Sequence, residues 1–474
     1  MSAIRLVSSS HSTPTSAGHA AARRAIRYAA VIFCGLLVGC AHAPLNAPLA
    51  RYEPEGGYRS RRPVDQIQNN PLSIVLFLSG GGTRAAALSY GVLQELAHTA
   101  LPDGTRMLDR VEAISAVSGG SFTAAYYCLY GDRLFTDFEK AFLKRDVQDA
   151  VLRHYLSLRL ASPYFSRSDL AAEYYDRILF HGATFGDLLH APSPRPFLII
   201  NATDMDSFVQ YPFFQETFDL IGSDLSSYPI ARAVAASSAV PFILSPITLK
   251  NYAGRLPPPN SPALRSEEPN ATPYTLRQQA LADLARSYLD AENRPYIHLL
   301  DGGLTDNLGL SNLVAAIALT GGWDALLPRS VHGKVPHIAI IVVNAATNLD
   351  AEWTREQKKP SLRHVVSALS KSAVNRNSAT ALELVRESLD EWQRHAAPGE
   401  DRPQVHLINV DFAHLADPTE RDYFNRVPTS FRLPPETVDR LEAVGGRILR
   451  ESPEFQALQA ALTRASAPLP PAGG

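Results

Sequence analysis

VEAISAVSGGSFTAAYYCL, residues Val111 to Leu129, is the stretch from which the rest of the chain is read. Its first seven residues form an apolar, partly β-branched run that suits a buried strand. Ser118-Gly119-Gly120 then breaks the run, and Ser121 to Tyr127 suits a helix. A strand that turns sharply into a helix at a serine is a nucleophile elbow, usually G-x-S-x-G because the strained turn leaves no room for side chains two residues either side of the serine. Here the five residues are Ala116-Val117-Ser118-Gly119-Gly120, with Ala in the first small position. A Gly-Gly turn beside an unremarkable polar residue is the competing reading, and this stretch alone does not separate the two.

The chain has 474 residues, of which 45% are hydrophobic and 19% charged, enough for a large core. Its formal charge is −2; the first 39 residues hold four arginines and no acid, so the remainder stands at −6. That balance carries no electrostatic footprint for nucleic acid. Arg23, Arg24 and Arg27, an apolar run from Tyr28 to Val38 and then Leu37-Val38-Gly39-Cys40 make a secretory signal, too short to span a bilayer as a stable helix. Cys40 after Leu-Val-Gly resembles the lipobox of a bacterial lipoprotein. The resemblance implies cleavage before Cys40 and acylation there, with Ala41 in the next position favouring the outer membrane. An ordinary signal peptide or a short anchor is the plainer alternative. Residues 1–39 are therefore expected to be a signal and residues 40–70, rich in Ala, Pro, Arg and Asn, a flexible tether. Cys34 leaves with the signal and Cys40 is acylated, so Cys128 is expected alone, with no internal disulfide.

Folding is expected to begin near Leu72. Ser73 to Leu78 is a near-continuous apolar run of parallel-strand type. It feeds into Ser79-Gly80-Gly81-Gly82-Thr83-Arg84 and then a helix, Ala85–Ala97, with Leu88, Val92 and Leu96 at helical spacing. A Walker A loop is excluded, since G-x-x-x-x-G-K-[ST] is absent. Gly80, Gly82 and Ala85 do satisfy G-x-G-x-x-[GA], the dinucleotide pattern. The third reading is an oxyanion hole built from the N–H groups of Gly80, Gly81 and Gly82. An exported protein meets little NAD, and the elbow that follows tips the balance to the oxyanion hole.

Beyond the elbow, Phe135–Phe180 reads as a helical excursion interrupted at Pro163 and Ser166–Ser168. Phe197–Ile200 reads as a strand, with Phe208–Phe218 as a hairpin partner, and Ile230–Val240 as a small-residue helix stopped by Pro241. Residues 253–275 form a polar insertion before a helix at Leu276–Leu289, either a cover over the site or a solvated loop. Tyr296–Leu300 is a strand ending in Asp301-Gly302-Gly303, and the C-terminal end of a strand is where open α/β sheets place their chemistry. A helix at Asn307–Leu319, a strand at His337–Val343, a long helix at Leu362–Trp392, a strand at Val405–Val410 and two last helices complete the pattern. The tail from Ser466 is rich in Ala, Pro and Gly and is expected to be loose.

Gly80-Gly81-Gly82-Thr83-Arg84, then Ser118 in its elbow, then Asp301-Gly302-Gly303, together resemble the patatin-like phospholipase family, which shares its catalytic logic with cytosolic phospholipase A2. Ala236–Pro241 also looks like a family segment. The resemblance covers about Leu72 to Leu319, with Ala116 and Ala85 standing where glycine is common. It implies an α/β fold: a three-layer core around a central, mostly parallel sheet with helical insertions, spanning 71–415, followed by a helical C-terminal extension over 416–474. It further implies a Ser118–Asp301 dyad without a histidine, with no metal or nucleotide cofactor. On this reading the chain is a serine lipid acyl hydrolase acting on membrane phospholipid or lysophospholipid, anchored through Cys40 at the cell envelope. The alternative is a lipid-binding or scaffolding lipoprotein of the same fold that has lost turnover. His298, three residues before Asp301, is expected on the opposite face of its strand.

Overall fold

The computed structural model describes residues 41–59, 70–191, 194–257, 259, 276–327, 334–347, 357, 362–396 and 400–465. Cys40, the signal region and the tail from Ser466 lie outside the described residues, as does most of the 253–275 insertion. Two strand–turn–helix units come first: β1 (Leu72–Leu78) into α1 (Thr83–His98), and β2 (Val111–Val117) into α2 (Gly119–Tyr130). The excursion follows, with helical segments at Leu134–Leu143, Val147–Arg153 and Arg167–Tyr175. Then come β3 (Phe197–Asp204), β4 (Val209–Pro212), α3 (Ile230–Ser237), β5 (Ile247–Lys250), α4 (Leu276–Leu289), β6 (Tyr296–Asp301) and α5 (Ser311–Thr320). The chain closes with β7 (His337–Asn344), α6 (Leu362–Arg394), β8 (Gln404–Asp411), α7 (Pro435–Glu451) and α8 (Pro453–Ala465).

The strands form one eight-stranded sheet in the order β8-β7-β1-β2-β3-β6-β5, with β4 also paired to β3. The five strands β8, β7, β1, β2 and β3 run parallel, and β6, β5 and β4 add antiparallel. Parallel strands need cover on both faces, and alternation supplies it. In β7, Ala339, Ile341 and Val343 face the larger core, while Ile338, Ile340 and Val342 face a second cluster with Trp323, Val385 and Trp392. The result is a central, mostly parallel sheet between two helical layers, as the family resemblance implied. Among the described residues no helix is long and apolar enough to cross a membrane.

Three expectations change. The helix after Asp301 begins at Ser311, not Asn307. The Asp306 carboxylate accepts the N–H groups of Leu308, Gly309 and Ser311, and so holds residues 306–311 as a turn. The C-terminal helices are not an appendage to the domain. α7 lies along α1 so closely that a Cβ on Gly91 would fall 1.9 Å from the Glu442 carbonyl oxygen. Helices approach to such a distance only where a side chain is missing.

The third change concerns the tether, whose residues 41–59 are docked. Ala47–Pro48 pairs with Ser223–Asp224, and Asn46 exchanges hydrogen bonds with Lys250. The Tyr58 ring stacks on Phe197 at 4.5 Å, and its hydroxyl accepts the Leu198 N–H. Arg59 forms a buried ion pair with Asp219 at 2.8 Å. These contacts are long-range, and a composition without a period does not reveal them. Removing one partner of a buried ion pair strands the other charge. Arg59→Ala is therefore expected to lower unfolding free energy by about 3 kcal/mol, measured by chemical denaturation. A freely hanging segment would show no change.

Candidate active site

Register brings the two sequence-singled residues together. Val117 pairs with Asn201, so Ser118 stands level with Ala202; Ala202 pairs with Asp301 on the far side of β3. The Ser118 hydroxyl donates to Asp301 Oδ2 at 2.9 Å across 183 positions of chain. Asp301 is the last residue of its strand, as the sequence argument placed it, but that strand does not share the direction of its neighbour β3. β6 runs antiparallel and overlaps β3 for three residues, ending level with the elbow.

Each group is held by its own turn. Ser118 sits at φ 47°, ψ −117°, a left-handed conformation that costs a non-glycine residue about 1–3 kcal/mol. Its N–H donates to Ser237 Oγ at 2.8 Å, and the Ser237 hydroxyl donates in turn to the Asn201 carbonyl at 2.6 Å. α3 therefore fixes the elbow from below. Asp301 Oδ1 accepts the Gly303 N–H at 2.8 Å, and the Asp301 N–H donates to the Ala239 carbonyl at 3.1 Å. Ser118 and Asp301 are 5% and 6% exposed, so the pair is almost sealed from water. Burial pushes the Asp301 carboxyl up to about 6, against the lowering effect of its bonds from Gly303 and Ser118.

The glycine turn divides its labour differently from the sequence expectation. The Gly80 N–H donates to the Asn307 carbonyl at 3.0 Å and is not available to a substrate oxygen. Gly80 is glycine for clearance: a Cβ there would lie 2.5 Å from Asn307 Oδ1 and 3.2 Å from Ser118 Cβ. The N–H groups of Gly81 and Gly82 have no acceptor among the described residues, nor does that of Gly119. Gly119 was missed, although the residue after an elbow nucleophile is the one whose N–H faces the developing oxyanion. Arg84 turns away from the site. Its guanidinium donates to the carbonyls of Ala345 and Val427 and to Thr429 Oγ1, fastening residues 427–429 behind the glycine turn. His298 is exposed on β6 and bonds Thr248 Oγ1 of the edge strand β5 at 3.0 Å. Ala116 and Ala85 are both fully buried, and β2 keeps its register through Ala116.

A hydroxyl bonded to a carboxylate of raised pKa, beside several uncommitted main-chain donors, is the equipment of acyl transfer by a serine. The family model for patatin-like phospholipases matches residues 76–314, and the chain belongs to that family. Among solved structures it is similar to human GIVD cytosolic phospholipase A2, at 15% identity over 85% of this chain and 63% of that one, with a TM-score of 0.42. The same human protein in complex with methyl gamma-linolenyl fluorophosphonate gives 14%, 85%, 61% and 0.41. The chain thus spans less than two thirds of the length of these structures. No curated protein matches it.

The two turns touch. A Cβ on Gly119 would lie 2.1 Å from the Gly82 carbonyl oxygen, which is backbone and cannot swing aside. Gly119→Ala is expected to destabilise the protein by about 3 kcal/mol in a denaturant titration, as overpacking against main chain does.

Proposed function

We propose that the protein is a serine lipid acyl hydrolase of phospholipase A or lysophospholipase type, working through a Ser118–Asp301 dyad. The observation that carries this reading is the 2.9 Å bond from the Ser118 hydroxyl to Asp301 Oδ2, made at a strained elbow beside uncommitted N–H groups. Ser118 Oγ attacks the ester carbonyl carbon while its proton passes to Asp301. Negative charge gathers on the carbonyl oxygen, where Gly81, Gly82 and Gly119 supply the donors; one such donor is commonly worth about 3 kcal/mol in the transition state. The tetrahedral intermediate collapses as Asp301 returns the proton to the leaving alcohol oxygen, and the acyl group stays on Ser118. Water then attacks the acyl carbon, giving its proton to Asp301. Asp301 reprotonates Ser118 Oγ as the fatty acid leaves.

Ser118→Ala and Asp301→Asn are expected to lower hydrolysis of defined phospholipids by at least about 1,000-fold in folded protein, with His298→Ala unchanged, as read by product mass. A fluorophosphonate probe is expected to label the parent and not Ser118→Ala. The base must be ionised to act. With its carboxyl raised to about 6, kcat/KM is expected to fall as pH drops through about 6, above the range of an ordinary carboxylate. A limb at about 4 would remove Asp301 from the role of base.

The second part of the proposal is the location: acylated at Cys40 and held at the outer membrane of a bacterial envelope. Its support is the order Leu37-Val38-Gly39-Cys40-Ala41 after a basic and then an apolar region. Cys40→Ser is expected to abolish incorporation of radiolabelled palmitate and to move the protein out of the outer-membrane fraction. Unchanged labelling would refute the anchor.

A further inference from the structure

The excursion between α2 and β3 carries an unusual surface. Ala150 to Ser168 holds three arginines, one histidine and no acid. Within it Leu156 is 91% exposed and Leu158 69%. Neither is loose, since Ser157 Oγ accepts the Arg159 N–H and sets a tight helical turn over Leu158–Ala161. The turn holds both leucines outward against the hydrophobic effect.

A second apolar edge lies beside them. Phe242, 70% exposed, sits at φ 71°, and Ile243 follows it, also exposed. Two side chains of the excursion fasten this edge: Arg167 donates to the Phe242 carbonyl at 2.9 Å, and the Tyr155 hydroxyl donates to the Ile243 carbonyl at 2.6 Å. The edge adjoins the dyad, because Ala239, three residues before Phe242, accepts the Asp301 N–H. Tyr175 lies beneath, buried, with its hydroxyl pushed up by burial and then by its neighbours, Tyr155 and Asp301 among them.

The far end of the surface meets the start of the described chain. Ser162 Oγ donates to the Ala41 carbonyl at 2.6 Å, the His42 ring stacks on Tyr164 at 4.7 Å, and the Ala43 N–H donates to the Tyr164 carbonyl. Ala41 directly follows Cys40 in sequence. One strip therefore runs from the residue next to the proposed acylation point, past Tyr164, Leu158 and Leu156, to Phe242 and Ile243 beside the catalytic pair.

We propose that this strip, rimmed by Arg153 and His154, is the face that docks onto an anionic phospholipid bilayer and presents lipid to the dyad from the membrane side. Arg159 is forked onto Glu173 and Arg167 onto the Phe242 carbonyl, so Arg153 is the outward arginine of the strip. Outward leucine and aromatic side chains beside an arginine are what the headgroup boundary accepts, with apolar groups entering and the guanidinium meeting phosphate. A pair of residues sealed from water suits a substrate that never leaves the interface. The proposal deepens the lipid-hydrolase reading, and its test does not depend on turnover.

The test is hydrogen–deuterium exchange on the full chain carrying Ser118→Ala, so that vesicles stay intact. Vesicles containing phosphatidylglycerol are expected to slow exchange at residues 154–164 and 241–244, and to leave α7 unchanged; pure phosphatidylcholine is expected to protect less. Leu156→Asp with Leu158→Asp is expected to remove that protection. In the otherwise unaltered chain the same pair should cut hydrolysis of vesicle phospholipid by about tenfold and leave a soluble short-chain ester untouched. Protection confined to other surfaces, or equal protection in the aspartate variant, overturns the proposal. So does a concentration-dependent dimer that the aspartates dissolve while vesicles protect nothing. Local protection together with no hydrolysis of any ester would keep the docking face and overturn the hydrolase reading instead.

Discussion

The site depends on an approach between two turns that no side chain survives. Gly82 at the end of the first turn and Gly119 at the start of the second meet backbone to backbone, leaving no space for a Cβ on Gly119. This contact brings the N-termini of α1 and α2 to one place and aligns their uncommitted N–H groups beside Ser118. Packing behind the turns maintains it. Gly82 faces Ser430, whose carbonyl takes the Thr83 N–H, and Arg84 ties residues 427–429 to Ala345. The C-terminal third of the chain thus holds the glycine turn in place, although the family match ends at residue 314.

The antiparallel strands have a comparable role. A sheet of parallel strands alone would end at β3, with no carboxylate beside the elbow. β6 adds in the reverse sense, and its short overlap with β3 decides where Asp301 stops. Burial of that carboxyl is unfavourable to its charge and raises its pKa. Strain at Ser118 and desolvation at Asp301 both oppose stability locally, and the large apolar core around them offsets the cost.

The helical excursion and the N-terminal segment are linked by hydrogen bonds and a ring stack to one another, and through residues 239–243 to the site. On the proposed reading, position relative to a membrane and access to Ser118 and Asp301 would both be set by this one connected strip. A flexible tether would have separated them.

By itself the sequence determined the strand–turn–helix units at Leu72–His98 and Val111–Tyr130, most helices and strands after them, and the serine and aspartate worth comparing. These are local signals: apolar runs, helical spacing and glycines where a chain must turn sharply. Tertiary structure alone decided that β6 runs antiparallel and that Gly80 gives its N–H to Asn307. It also decided that Gly119 joins the donors, that Asp306 delays the next helix, and that residues 41–59 are packed down through Tyr58 and Arg59. Each of these outcomes rests on a hydrogen bond, a register or an ion pair that its own local pattern does not specify. The partner that selects it is in most cases many residues away, so a local pattern is compatible with either result until the chain is folded.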